Sequence, residues 1–137
     1  VVTNGGRLYS GAVTVGASAN SLNNSYVIDG GSAGATVSNG VLTIGSNGSG
    51  LNTMTVTNAN LTTGGLVTIG NGTSNNTVTI LKGGSWNLNA FDLNIGTSGG
   101  TGNVLTINAY DPKSGTAEFK ACAVSVALAT TAIPAFR

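Results

Sequence analysis

The sequence predicts an all-β fold, a parallel β-solenoid (β-helix) of about four coils with 24–29 residues per coil. Three observations carry that expectation. A hydrophobic-polar-hydrophobic-Gly phrase recurs as Val13-Thr14-Val15-Gly16, Leu42-Thr43-Ile44-Gly45, Val67-Thr68-Ile69-Gly70 and Leu93-Asn94-Ile95-Gly96, with glycines 29, 25 and 26 residues apart. A second set of phrases has the anchors Val2, Ile28, Val56, Ile80 and Ile107, spaced 26, 28, 24 and 27. Within both, apolar residues alternate with polar ones at the period of a half-buried strand, and no helical apolar stripe occurs before residue 115. A fixed period in the twenties means one unit copied along the chain, each copy touching its neighbours.

Taken in chain order, each coil reads as three short strands and three turns. The first strand holds the anchor of the second phrase, in Val1–Asn4, Val27–Gly30, Thr55–Asn58, Thr79–Lys82 and Thr106–Ala109. The middle strand is marked by one apolar residue, at Leu8, Val37, Leu61 and Leu88 with Trp86 beside it. The third strand is the phrase ending in glycine. Length varies only in the polar spacers Ala17–Asn24, Ser46–Asn52, Asn71–Asn76 and Thr97–Asn103, where turns accept insertions. One coil cannot bury its own apolar face, whereas coils stacked ~4.8 Å apart pair every strand with its equivalents above and below. An antiparallel sandwich is the competing arrangement, and the spacing of like phrases favours the solenoid. The expected core is Val2, Val13, Val15, Ile28, Leu42, Ile44, Val56, Val67, Ile69, Ile80, Leu93, Ile95 and Ile107. Thr14, Thr43, Thr68 and Asn94 form an outward column, a candidate hydrogen-bonded ladder.

Composition fits turns and ladders better than chemistry. Gly, Asn, Ser and Thr make up over half the chain, and there are only five basic and four acidic residues, a net charge of +1. Such a surface has no field for nucleic acid or an acidic membrane, and no stretch approaches the ~20 apolar residues of a spanning helix. Cys122 is the single cysteine, which excludes an internal disulfide and reads as a small buried residue. The first residues lack a charged-then-apolar leader, so a secretory signal is expected to be absent or already removed. With no histidine there is no imidazole base or His-ligated metal. The acids Asp29, Asp92, Asp111 and Glu118 offer no pair placed for acid/base work, and the Gly-Gly-x-Gly-x-Asp calcium repeat is missing. No catalytic, metal or cofactor site is expected, and the chain reads as a non-enzyme. A water-ordering Thr-x-Thr surface is likewise not expected. Thr55-x-Thr57 is followed by Thr79-x-Leu81 and preceded by Val27-x-Asp29, which breaks the double column.

Five Asn-x-Ser/Thr triplets, at Asn23, Asn47, Asn60, Asn71 and Asn75, are candidate glycan acceptors. Two parts are expected: repeats over 1–109 and a non-repeat tail over 110–137. In the tail, Pro112 and Gly115 break the ladder, and Val124, Val126 and Leu128 alternate like one strand, with a helix over 116–129 as the rival. The tail reads either as a cap or as an intersubunit strand.

The run from Val56 to Gly70 (VTNANLTTGGLVTIG) and the run from Asn76 to Ile80 leading to Gly83-Gly84-Ser85-Trp86 resemble autotransporter-associated β-strand repeats. Repeats of that kind occur in bacterial passenger domains and in exosortase-sorted surface proteins. The likeness spans about residues 1–109 and implies an extracellular or cell-surface location. An exposed solenoid end invites strand pairing with another molecule, and a head-to-tail contact that does not close makes a fibre. The expected function is therefore a structural subunit of a filament or surface layer whose partners are copies of itself. The interface would be Val1, Val2, Thr3 and Asn4 at one end and Val124, Val126 and Leu128 at the other. The alternative is an adhesin or glycan-binding passenger fragment that contacts surface glycans.

Overall fold

The computed structural model describes residues 1–108, 118–120 and 124–126 and bears out the parallel solenoid, of about four turns. Every coil contributes one short strand to each of three parallel sheets. The first sheet stacks β1 (Val2–Thr3), β4 (Ser25–Asp29), β7 (Thr53–Thr57), β10 (Thr77–Ile80) and β13 (Val104–Ile107). The second stacks β2 (Arg7–Tyr9), β5 (Thr36–Asn39), β8 (Asn60–Thr63), β11 (Ser85–Asn87) and β14 (Glu118–Lys120). The third stacks β3 (Val13–Val15), β6 (Leu42–Ser46), β9 (Val67–Asn71), β12 (Leu93–Thr97) and β15 (Val124–Val126).

Register follows the phrases. Val2 pairs with Ile28, Ile28 with Val56, Val56 with Ile80 and Ile80 with Ile107, so the anchors stand one above another. Leu42, Val67 and Leu93 form a second inward stack, and Ile44, Ile69 and Ile95 a third. Because alternate side chains point to opposite faces, each stack is buried from both sides along the axis, and most of these residues have no accessible surface. The outward column Thr14, Thr43, Thr68 and Asn94 is also in register.

Four details differ from the sequence reading. Ile107, expected in the core, is 43 % exposed because β13 ends its sheet and carries no further strand among the described residues. In the second sheet it is Trp86, not Leu88, that pairs with Leu61; Leu88 is buried one step beyond the strand. The indole Nε1–H of Trp86 donates to Thr63 Oγ1 at 2.9 Å, which satisfies both buried polar groups. A further inward stack, Tyr26, Met54, Val78 and Leu105, went unmarked because none of these residues lies in a recurring phrase. Finally, β14 and β15 lie beyond residue 109 and continue two of the sheets in register, β14 on β11 and β15 on β12.

The hydrogen-bonded ladder runs through the spacers rather than the outward threonines. Asn24, Asn52, Asn76 and Asn103 stand at the same corner of successive coils. The Nδ2 of Asn24 donates to Asn52 Oδ1 at 2.8 Å, Asn52 to Asn76 at 2.9 Å, and Asn76 to Asn103 at 2.8 Å. The backbone N–H of each also donates to the same oxygen above it, at 3.2, 3.1 and 3.0 Å. Within a coil, a hydroxyl three residues earlier (Ser21, Ser49 or Thr73) accepts the remaining amide hydrogen. Asn52 and Asn76 are fully buried, so these bonds are what makes burial of a carboxamide tolerable.

The ladder also explains the glycine that ends each third-strand phrase. Gly45 has φ +82°, and a Cβ built there would lie 2.5 Å from both Asn76 Nδ2 and Thr73 Oγ1. Gly16 and Gly70 meet Asn52 and Asn103 in the same way. These glycines thus serve two needs at once, a left-handed backbone and room for the carboxamide of the next coil.

Candidate functional site

The expected assembly residues fall at the two ends of the stack. Val2 and Thr3 form β1, which occupies the edge of the first sheet and pairs on one side only, with Ile28 and Asp29 of β4. Val1 is 86 % exposed, and Thr3 and Asn4 are exposed as well. The Asn4 N–H donates to the Asp29 carbonyl at 3.3 Å. Successive residues of a parallel strand turn their backbone groups to opposite edges, so the Thr3 N–H and C=O point away from β4. At the other end, Val124 and Val126 sit in β15, whose inner side pairs with Leu93 and Ile95 of its own β12. Val126 is 56 % exposed. Leu128, like Cys122 and Asp111, lies outside the described residues.

All five candidate glycan acceptors are exposed. Asn23, Asn47 and Asn75 stand in turns with positive φ, whereas Asn60 begins β8 and Asn71 ends β9. Asn60 Oδ1 accepts the Ser85 hydroxyl at 2.7 Å, and Asn47 Nδ2 donates to the Ala17 carbonyl of the coil below.

The outer face of the first sheet holds more threonine than the phrases indicate. One pleat before the broken pair, Thr53 and Thr55 are in register with Thr77 and Thr79; one column runs on to Ser25 and the other to Thr106, while Val27 and Val104 end the paired arrangement after two coils.

Sequence reasoning missed the outer face of the second sheet. The alternation Arg7-Leu8-Tyr9 turns Leu8 inward and both flanking side chains outward. Arg7 stands in register with Thr36 and, through it, with Asn60. Beside this column lies a groove of about 180 Å³, lined by the small residues Gly5, Ala33, Gly34 and Ala35 as well as by Arg7, Thr36 and Asn60. The signal was present in the three letters RLY, but a lone arginine among neutral residues carries no meaning until the neighbouring coils are in place.

Titratable groups are sparse and scattered. Among the described residues no three His, Cys, Asp or Glu side chains gather where a metal could be held. No helix among them is long and apolar enough to cross a membrane. Burial pushes the phenol of Tyr26 above the usual tyrosine range. Its hydroxyl has no hydrogen-bond partner.

Fold and surface together define the class: a β-solenoid repeat protein with an inward apolar stack, a buried asparagine ladder and a polar, nearly neutral exterior. No protein-family model, no curated protein and no solved structure matches the chain.

Proposed function

We propose that the protein is a non-enzymatic structural subunit that joins other copies end to end in an extracellular filament or surface layer. The observation that carries this reading is the open edge of β1. It presents an outward Thr3 N–H without a partner, while the Thr3 carbonyl accepts the Gly6 N–H at 2.9 Å, and it has an exposed Val1 and no charged side chain within the strand. Natural sheets blunt such edges with charge or proline, and neither stands in Val1–Asn4. An added parallel strand completes the ladder without any special side chain, and the interface between unlike ends propagates rather than closes. The non-enzymatic part rests on the lack of histidine and of any assembled acid pair. The extracellular part rests on the resemblance to surface-protein repeats.

The test is electron microscopy and sedimentation velocity of the purified chain, alongside Thr3→Pro. Proline removes the outward N–H of Thr3 and leaves the Asn4–Asp29 bond to β4 available. Regular filaments from the wild type, absent in the variant with the β-rich circular dichroism retained, support the reading. A wild-type chain that stays monomeric at high concentration refutes it. Filaments undiminished in Thr3→Pro put the junction elsewhere.

A second reading, a display module that binds surface glycans, is favoured by the groove beside Arg7.

A further inference from the structure

The geometry points to a binding site for an acidic oligosaccharide, rich in uronic acid, on the outer face of the second sheet. It does not depend on filament formation.

Arg7 provides the charge. Arg7 lines the groove together with Thr36 and Asn60, and among the described residues it has no ion-pair partner. Asp29 and Asp92 are not part of the lining, and Glu118 of β14 stands in register with Ser85, at the far end of the column from Arg7. A planar guanidinium with free donors recognises a carboxylate in two-point fashion, which neutral sugars cannot supply. Tyr9, two residues along β2 and therefore on the same face, is 69 % exposed. Its ring is a flat apolar platform against which the C–H face of a pyranose packs. A largely exposed aromatic next to an unpaired arginine has little to offer the fold, because Leu8 between them already makes the inward contact.

The rest of the face matches an extended chain rather than a compact ion. Arg7, Thr36, Asn60 and Ser85 follow one another up the solenoid, one polar side chain per coil. At ~4.8 Å per step this is close to the length of one sugar unit. The Ser85 hydroxyl donates to Asn60 Oδ1, which fixes the amide so that its Nδ2 remains available as a donor. The small lining residues Gly5, Ala33 and Gly34 leave the groove room for a ring. Two basic residues on this sheet, Arg7 in β2 and Lys120 in β14 at the opposite end, fall short of the track of several that nucleic acid needs. A glycan carried on Asn60 would occupy the same groove, so the measurement requires protein without sugar attached.

The experiment is calorimetric titration of the unglycosylated chain with tetragalacturonate, cellotetraose and a short oligodeoxythymidylate. Wild type is expected to bind tetragalacturonate more tightly than cellotetraose, with the advantage shrinking as salt is raised. Arg7→Gln should weaken tetragalacturonate by roughly tenfold or more and leave the neutral sugar unchanged. Tyr9→Ala should weaken both, and Thr106→Ala on the first sheet should change neither. Unchanged circular dichroism in each variant shows that the fold is intact. The inference is overturned if wild type ignores tetragalacturonate at millimolar concentration, if Arg7→Gln binds it equally well, or if the oligonucleotide binds as tightly.

Discussion

Replacing Asn52 with Asp changes one amide to a carboxyl and leaves the shape of the ladder untouched. Asn52 is fully buried, and its Oδ1 accepts from Asn24 N and Nδ2 at 3.2 and 2.8 Å. Those two bonds survive in the variant. Its Nδ2, however, donates to Asn76 Oδ1 at 2.9 Å and to Ser49 Oγ at 3.4 Å. In Asn52→Asp an oxygen takes the place of that donor and faces Asn76 Oδ1, itself an acceptor. Ionised, the site holds an uncompensated buried charge against a lone pair, a loss of about 3–5 kcal/mol. Protonated, the introduced carboxyl regains one donor and most of the loss disappears. The folded chain therefore prefers the neutral acid, and its carboxyl pKa rises above the unfolded value of about 3.9. Stability relative to wild type is then fully present below pH ~4 and falls by about 1.4 kcal/mol per unit as pH rises toward the folded pKa, levelling off above it. Asn52→Leu is the control. It removes the carboxamide altogether and orphans the Asn24 amide, for a pH-independent loss of about 2–4 kcal/mol. Urea midpoints by circular dichroism between pH 4 and 8 measure both. A ladder without energetic weight would leave Asn52→Asp as stable as wild type at pH 8, and that result would refute the reasoning.

Three further substitutions test separate parts of the fold by the same assay. Gly45→Ala forces a Cβ to 2.5 Å from Asn76 and Thr73 at φ +82° and should cost about 3 kcal/mol; Gly64→Ala, whose nearest neighbour is the Asn39 carbonyl at 3.8 Å, should stay within about 0.5 kcal/mol. Leu51 is the exposed leucine at φ +60° in a corner position held elsewhere by Asn23, Asn75 and Gly102, so Leu51→Asn should stabilise by roughly 0.5–1 kcal/mol, and a loss of stability would count against left-handed strain there. Tyr26→Phe removes a buried hydroxyl that bonds to nothing and should be neutral or stabilising at pH 7. Because burial raises the Tyr26 pKa, the wild type should also lose stability above about pH 10, where the unfolded phenol ionises first, and Tyr26→Phe should lessen that loss. A wild-type alkaline profile identical to that of the variant would contradict it.

Much of this protein was legible from spacing alone. Strict alternation around Val56, Ile69 and Ile95, repeated at a near-constant interval, dictates three strands per coil and which side chains face inward, because a one-residue slip would turn every apolar side chain out. The short uncharged strand in Val1–Asn4 was legible too, since strand pattern and lack of charge are local properties. What the sequence could not show are contacts between residues with no local relation. Asn52 in a Gly/Ser-rich spacer reads as a turn residue; it becomes a buried rung only when Asn24 and Asn76, 28 and 24 positions away, are stacked on it. Trp86 takes the stack position anticipated for Leu88 because pairing of β11 with β8, not distance from the next phrase, sets the register. Ile107 keeps the inward alternation yet stays exposed, since burial in a solenoid comes from the coil above as well as the coil below. Arg7, Thr36 and Asn60 become one surface for the same reason. Periodicity along the chain determined the unit, and stacking across it decided what each unit touches.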